Sequence, residues 1–212
     1  MVPPRQIGYR NAGLFATQVL HEPPNETRKA ESWRQMLAWR QMTNRRQTAR
    51  SLYGSIVTRA REPAFYAAWG VPDTVQGRFE MIALHLVLVL RRLAVEGRAG
   101  ERIARALTET FMVDLDDAMR EMTFGDLAVP REVKRAAAAL FDRHRAYLAA
   151  LGAAHDMTLA QTIGDQLAYL GSIEDLKAHA IAAYVRKCAS ALDAEPAALI
   201  LAGQVVWPPL AA

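Results

Sequence analysis

Apolar residues recur every three or four positions along most of this chain, which is the spacing of one face of an α-helix. The clearest stripe lies between 101 and 123 and consists of Ile103, Leu107, Phe111, Leu115, Ala118 and Met122. Ala and Arg are abundant, whereas the strand-favouring residues Val, Ile, Thr and Tyr are dispersed. We therefore predict an all-α fold, a multi-helix bundle with short connections.

Gly, Pro and capping residues mark the ends of these periodic segments. Together they predict helices over 26–42, 46–61, 63–69, 74–95, 101–123, 130–151, 158–170 and 172–192, and a short helix after Pro196. We expect an irregular lead-in over 1–25, one helical domain over 26–192, and a short helix and tail over 193–212.

The length of 212 residues is enough for one domain with a substantial core. The first 25 residues contain Pro pairs and no continuous apolar stretch, so we predict no secretory signal and a cytoplasmic location. The apolar run after Phe79 is too short to cross a bilayer and is typical of a buried helix. The single cysteine, Cys188, lies in a helical pattern and is predicted to be a buried apolar residue.

The formal net charge of +4 is unevenly distributed. Between Arg28 and Arg61 there are nine basic residues and one acidic residue, Glu31. Such a patch fits an anionic partner, which could be RNA, a ribosome surface or anionic lipid. A solvated helix face with no partner explains the same charges.

Polar residues at helical spacing face one another across two predicted helices. On the first they are seven residues apart, and on the second three or four apart; the set is Arg78, His85, Arg92, Asp114, Asp117 and Glu121. Because the connection between the helices is short, they should pack antiparallel. We expect a seam of ion pairs and hydrogen bonds, with Arg78 near Asp117 and Glu121, and His85 near Asp114.

Two interpretations of this seam stay open. Buried polar groups pair with one another and fix the register of packed helices, which needs no further function. A histidine beside three carboxylates also resembles a carboxylate-bridged metal site, although the Glu-x-x-His motifs of such bundles are missing from the sequence. We expect no metal, no cofactor and no catalytic residue.

Motifs for other chemistry give little support to an enzyme or a DNA-binding protein. The sequence contains no P-loop, G-x-G-x-x-G, G-x-S-x-G or H-E-x-x-H motif. The segment from 158 to 180 loosely resembles a helix-turn-helix, but its second helix has few side chains for reading bases. We therefore expect no DNA partner.

The stretch from Leu52 to Leu151 resembles the ubiquinol–cytochrome c chaperone family. The similar pieces begin with Phe65-Tyr66, Pro72-Asp73-Thr74, Gly77-Arg78-Phe79, Leu84-His85 and Arg92-Leu93. They continue with Asp114, Asp116, Arg120-Glu121, Gly125-Asp126 and Val133-Lys134. We take 46–151 as the family core; Asp142-Arg143 departs from the Gly-Arg that the family often has.

The resemblance implies a non-enzymatic assembly chaperone for cytochrome b of the respiratory bc1 complex. It also implies partners: newly made cytochrome b, and in mitochondrial relatives a small co-chaperone and the ribosome. A peripheral position at the inner membrane is consistent with such a client. The alternatives are an RNA- or ribosome-binding helical module, and a helical-bundle metalloenzyme using the region of His85 and Asp114.

A chaperone for a membrane protein needs an apolar groove and a basic rim. The groove candidates are the aromatic residues Trp33, Trp39, Phe65, Tyr66 and Trp69, with Asp73 in the adjacent turn. The rim candidates are Arg40, Arg45, Arg46 and Arg50. The aromatic residues could equally belong to the core, which is the interpretation we favour for at least half of them.

Overall fold

A computed structural model of the protein describes residues 25–121, 129–153, 156–168 and 176–210, with the side chains of a few of these positions left aside. The helices are α1 (Asn25–Ala60), α2 (Pro63–Ala67), α3 (Val75–Ala94), α4 (Gly97–Glu121), α5 (Val129–Gly152), α6 (Asp156–Ala168), α7 (Ala178–Ala194) and α8 (Ala197–Leu201). These ranges contain helices and connections but no strand. The predicted all-α class is confirmed.

Helix α1 is continuous where the sequence predicted two helices with a break at 43–45. The intervening residues Thr43, Asn44 and Arg45 include neither Gly nor Pro, so nothing there stops a helix once it has formed. The chain forms two compact units, 1–40 and 41–212. In the first unit, the groove candidate Trp33 is 60% exposed.

The core of the second unit is built around α3, which contacts α4, α5, α6 and α7. Its long apolar run is buried because neighbouring helices cover it on several sides. The largest side chains that are fully buried in this core are Leu52, Ile56, Phe65, Met81, Leu86, Leu88, Leu93, Leu107, Tyr147, Leu159, Ile163 and Leu167. Each contributes roughly 1.5–3 kcal/mol of hydrophobic free energy, which makes this unit a stable frame. Cys188 is buried in the same core, as predicted.

Helix α4 begins at Gly97, four residues before the predicted start. Gly97 has a positive φ of 55°, which lets the chain reverse directly after α3. Gly100 then packs so closely that an added Cβ would lie 2.0 Å from the carbonyl oxygen of Leu93. Two glycines therefore make a tighter hairpin between α3 and α4 than the periodicity alone indicated.

Helix α7 begins at Ala178, several residues after the predicted start at Ser172, which lies outside the described residues. Leu176 and Lys177 are not helical; the backbone N–H of Lys177 donates to the carbonyl oxygen of Trp69 at 2.9 Å. This hydrogen bond ties the chain before α7 to the end of α2.

The C-terminal residues fold back onto the helices after α8. Gly203 has a φ of 86° and redirects the chain. The indole N–H of Trp207 then donates to Ser55 Oγ at 2.9 Å, and the backbone N–H of Val206 donates to Glu195 Oε1 at 2.8 Å. The tail is thus docked on α1 and on the end of α7.

No helix among the described residues has the length and the apolar content that crossing a bilayer requires. Helix α3, the most apolar of the long helices, carries Arg78, Glu80, Arg91 and Arg92 within its span.

Candidate partner-binding surface

Among the described side chains, Arg78, His85 and Arg92 of α3 do not pair with Asp114 or Asp117 of α4, so the predicted seam is wrong for these residues. Arg78 instead forms an exposed ion pair with Asp73, Nε to Oδ1 at 2.7 Å. His85 and Arg92 face α7. The face of α3 that contacts α4 is apolar there, as the rings of Phe79 and Phe111 show, with centroids 5.8 Å apart.

His85 lies at the centre of a buried aromatic cluster. Its Nδ1 is 2.7 Å from the carbonyl oxygen of Met81, and its Nε2 is 2.9 Å from the hydroxyl oxygen of Tyr184. The ring of Trp207 stands edge-on to it at 5.1 Å. Burial, together with the nearby charge of Arg59, lowers the pKa of His85 to about 4, so the imidazole is neutral at pH 7. Both ring nitrogens are occupied, which fits a structural role.

Arg92 holds the end of α7. Its guanidinium donates to the carbonyl oxygens of Leu192 at 2.7 Å and Glu195 at 3.0 Å, and it also pairs with Glu96 in the turn after α3. The last carbonyl groups of a helix lack partners inside the helix, and an arginine is well suited to satisfy them.

Asp114 and Asp117 of α4 lie outside this network. Asp114 accepts a hydrogen bond from the hydroxyl of Tyr53 on α1 at 2.6 Å, and burial together with this bond raises the pKa of Tyr53. Asp117 is exposed, and the side chain of Glu121 lies outside the described residues. The prediction failed because His85 and Arg92 face α7, whereas the part of α3 that meets α4 there carries Phe79.

A buried ion pair that the sequence analysis missed joins α3 to α5. The guanidinium of Arg143 binds both carboxylate oxygens of Glu80, with Nε to Oε2 at 2.5 Å. Its planar group also lies over the ring of Phe79, 5.5 Å from the centroid. The signal was a lone glutamate on an otherwise apolar face of α3. Its partner Arg143 matches the arginine of the family's Gly-Arg, and only Asp142 departs from that pair.

Two of the groove candidates, Phe65 and Trp69, are buried, as the alternative core interpretation predicted, although Trp69 also lines a cleft. Phe65 is fully buried against the rings of Trp69, His85 and Tyr184, and Trp69 is only 5% exposed. Both belong to the core, because large aromatic rings gain most free energy when they are enclosed. Tyr66 is half-buried, and the side chain of Trp39 lies outside the described residues.

These aromatic rings nevertheless hold α2 at the surface. Phe65 anchors the helix from below, while Tyr66 donates to the carbonyl oxygen of Ala60 at 2.7 Å. Burial raises the pKa of Tyr66 to about 12, so its hydroxyl remains a donor at pH 7. Pro63, Ala67 and Ala68 are left exposed, and we call these three residues the α2 ridge.

The turn after α2 is fixed by Gly77 in the first turn of α3. A Cβ at this position would lie 1.9 Å from the carbonyl oxygen of Pro72, so only glycine permits the approach. Thr74 caps α3, its Oγ1 accepting from the backbone N–H of Gly77 at 3.0 Å. This packing presents Asp73 beside Arg78 and explains why the Pro72-Asp73-Thr74 and Gly77-Arg78 pieces occur together.

Two clefts flank the α2 ridge. The first has a volume of about 390 Å³ and is lined by Arg61, Pro63, Tyr66, Ala67, Asp73 and Arg78. The second has a volume of about 250 Å³ and is lined by Ala68, Trp69, Lys177, Ala180, Ala183, Tyr184, Lys187 and Pro209. Ala67 and Ala68, which are consecutive, separate them. We call the ridge with its two clefts the α2 platform.

The basic rim forms a separate feature on α1. Arg46 and Arg50 are exposed, Arg45 is half-buried, and the side chain of Arg40 lies outside the described residues. Arg45 also lines a cleft of about 230 Å³ together with Arg102 of α4. Sequence analysis missed Arg102, since it lies far from the rim along the chain.

The described residues contain no group of three or more His, Cys, Asp or Glu side chains arranged to hold a metal ion. In the same part of the chain, His85 and Asp114 each bond to a different tyrosine rather than to each other.

Comparisons with known proteins relate most of the chain to one family, although Arg61, Pro63 and Tyr66 of the platform lie before the residues that the family's sequence model matches. The sequence model described as ubiquinol-cytochrome C chaperone matches residues 67–207 and so extends beyond Leu151 through α6, α7 and α8. Ubiquinol-cytochrome-c reductase complex assembly factor 1 from Xenopus laevis is 26% identical over 164 residues, which cover 75% of this chain and 80% of that protein. The crystal structure of the Cbp3 homolog from Brucella abortus has a TM-score of 0.74 and 31% identity, covering 82% of this chain and 96% of that one. This chain therefore belongs to the ubiquinol-cytochrome C chaperone family.

Proposed function

We propose that this protein is a non-enzymatic assembly chaperone that binds cytochrome b before it enters the bc1 complex, and that the α2 platform is its client-binding face. The family supports a role in the assembly of ubiquinol–cytochrome c reductase. The single observation that carries the choice of face is the pair of clefts on either side of the α2 ridge.

The construction of the platform supports this choice. The α2 ridge rests on a core of four aromatic rings, and the turn after it is fixed by Gly77 against Pro72. A surface held rigidly binds a flexible client at a lower entropic cost than a surface that must first become ordered. Its small residues allow a client backbone to approach closely, while the clefts receive side chains on both sides.

A steric block on the ridge tests the proposal. In a strain that lacks the gene, expression of the wild-type chain should restore the level of cytochrome b and the bc1 activity. The Ala67→Arg variant should fail to restore either, because the long side chain lies where the client approaches. Ala138→Arg, an equal change at an exposed position on α5, is the matched control and should restore both.

If Ala67→Arg accumulates as a folded protein and restores cytochrome b as well as Ala138→Arg does, the α2 platform is not the client-binding face. If the wild-type chain itself has no effect on cytochrome b, the proposed client is wrong.

We propose the basic rim as a second contact, with the ribosome or the inner-membrane surface, which places the protein beside its client during synthesis. Exposed Arg46 and Arg50, with Arg45 and Arg102 at one cleft, support an anionic partner.

Sedimentation with ribosomes or anionic vesicles should fall steeply with salt. It should be lost in Arg46→Glu/Arg50→Glu and kept in Lys134→Glu/Arg145→Glu, a pair of exposed cations on α5. Equal loss in both double variants would exclude the rim.

A further inference from the structure

We propose that the α2 platform binds an acidic segment of a polypeptide, with carboxylates on both sides of the α2 ridge and an apolar side chain in the second cleft. This deepens the proposed function and rests on it only in taking a polypeptide as the occupant.

The charges of the platform favour an acidic partner. Arg61 and Arg78 line the first cleft, and Lys177 and Lys187 line the second. Asp73, which pairs with Arg78, is the one acidic residue in the described lining. The exposed side chains of Arg61, Lys177 and Lys187 are left without a carboxylate partner among the described residues. An excess of three positive charges around a small apolar ridge complements an acidic partner.

The Arg78–Asp73 pair adds a place where a partner carboxylate can enter. Both side chains are more than half exposed, and the pair uses the guanidinium Nε with one carboxylate oxygen. An exposed ion pair of this kind contributes little to stability, so sharing Arg78 with a second carboxylate costs little. The outer N–H groups of an arginine form a fork that fits a carboxylate well.

The second cleft supplies the apolar part of the surface. Trp69, Tyr184 and Pro209 contribute to its wall, and Lys177 and Lys187 stand at its edge. Its volume of about 250 Å³ accommodates one large apolar side chain. An occupant that places an apolar residue here and a carboxylate beside it satisfies both kinds of lining residue.

The shape of the surface favours a polypeptide over a bilayer or a nucleic acid. The exposed residues of the ridge are Pro63, Ala67 and Ala68, which are too small to insert into a membrane as anchors. Trp69 is recessed, so its ring is closed to stacking by a base. A backbone with side chains on alternate sides matches a narrow ridge between two clefts.

Peptide binding tests this inference with the purified full chain. The probe is a short fluorescein-labelled peptide of alternating Leu and Glu, compared with the same peptide carrying Gln for Glu. Fluorescence anisotropy should give at least about a tenfold higher affinity for the Glu peptide, since its carboxylates meet the cations that line the two clefts.

A charge reversal on both sides of the ridge locates the site. Arg61→Glu/Lys187→Glu should lower the affinity for the Glu peptide at least about tenfold and raise it for a Leu/Lys peptide, a gain that a damaged fold cannot produce. The matched control is Lys134→Glu/Arg145→Glu, which changes the net charge equally and lines neither cleft. It should leave both affinities close to those of the wild type.

Three results overturn the inference: equal binding of the Glu and Gln peptides, equal loss in the two double variants, or binding of single-stranded RNA or anionic vesicles through Arg61 and Lys187 when the Glu peptide does not bind. Rescue of the gene deletion separates this inference from the proposed function. If the Glu peptide does not bind and Arg61→Glu/Lys187→Glu also fails to rescue the deletion, the proposed acidic segment is wrong, but the α2 platform remains the client-binding face. If the wild-type chain binds the Glu peptide but the same double variant fully rescues the deletion, the α2 platform is not the client-binding face.

Discussion

At the scale of single residues, close backbone approaches decide what the platform presents. Gly77 is required because the carbonyl oxygen of Pro72 lies where a Cβ would be, 1.9 Å away. At Gly54, in the interior of α1, an added Cβ would instead meet no atom within 4 Å. A side chain is therefore excluded at Gly77 and unopposed at Gly54.

Gly77→Ala should therefore destabilise the protein by about 1–3 kcal/mol, since the added methyl group forces the turn away from α3. Gly54→Ala is the control and should stabilise by about 0.5–1 kcal/mol, because alanine is the better residue inside a helix. Urea unfolding followed by circular dichroism measures both. Equal effects of the two changes would contradict the packing of the turn.

His85 makes stability depend on pH. Its pKa is about 4 in the folded protein against an ordinary value of 6.5, so between these values the unfolded chain binds a proton that the folded chain does not. The free energy of unfolding should fall by about 3 kcal/mol as the pH drops from about 7 to about 4 through this group. Urea unfolding across this range measures the slope, which His85→Gln should reduce. His179→Gln, at an exposed position, should keep it. An unchanged slope in His85→Gln would show that another group titrates.

At the scale of helices, one buried ion pair fixes α5 against α3. Glu80 is 1% exposed, and Arg143 binds both of its oxygens. Such a pair stabilises less than its geometry indicates, because both charges lose their hydration. Substituting only one of the two residues is costly, because the charge of the other then stays buried without its ion-pair partner.

Glu80→Leu should destabilise the protein by about 3–5 kcal/mol, and adding Arg143→Leu should recover part of that loss. Arg145→Leu, which breaks an ion pair on the same helix at an 81% exposed position, should change stability by less than about 1 kcal/mol. Thermal unfolding of the wild type, the two single variants at 80 and 143 and their double variant completes a double-mutant cycle. A double variant no more stable than Glu80→Leu would contradict the pairing.

Helical periodicity predicted most elements because the buried face of a helix appears in its own sequence as apolar residues three or four positions apart. The short α2 followed from Pro63 and Gly70, and α3 from the long apolar run. Partners across helices were not predictable in the same way. The seven-residue spacing of Arg78, His85 and Arg92 indicated a shared face, but the packing of α7 against α3 decided what His85 and Arg92 contact.

The platform shows the same division between local and tertiary information. Tyr66 and Asp73 were proposed as contact residues from a family resemblance, and both line the first cleft. Lys177 and Lys187 reach the second cleft through the packing of α7 beside Trp69, which nothing near them in the sequence encodes.

At the scale of the folded unit formed by 41–212, the C-terminal tail completes the aromatic cluster. Trp207 covers His85 edge-on and donates to Ser55, and Arg59 binds the carbonyl oxygen of Pro208. The tail also contributes Pro209 to the second cleft. The surface of the platform thus depends on residues more than a hundred positions away from α2.

Trp207→Ala should destabilise the protein by about 2 kcal/mol, since it removes a large ring and one hydrogen bond. By admitting water to His85, it should also raise the pKa of that group and flatten the pH dependence of unfolding. Val206→Ala, at the adjacent 66% exposed position, should change stability by less than about 0.5 kcal/mol. Urea unfolding at two pH values measures both effects; equal stability of the two variants would show that the tail is not docked.

The most direct test of the account is site-specific photo-crosslinking in growing cells. A photoreactive amino acid at position 67 lies on the α2 ridge, and one at position 138 lies on α5 at another exposed helical site. The account predicts an adduct with cytochrome b from position 67 and none from position 138. An adduct from position 138 alone, or none from either position while cytochrome b is being made, would contradict the claim that the α2 platform holds the client.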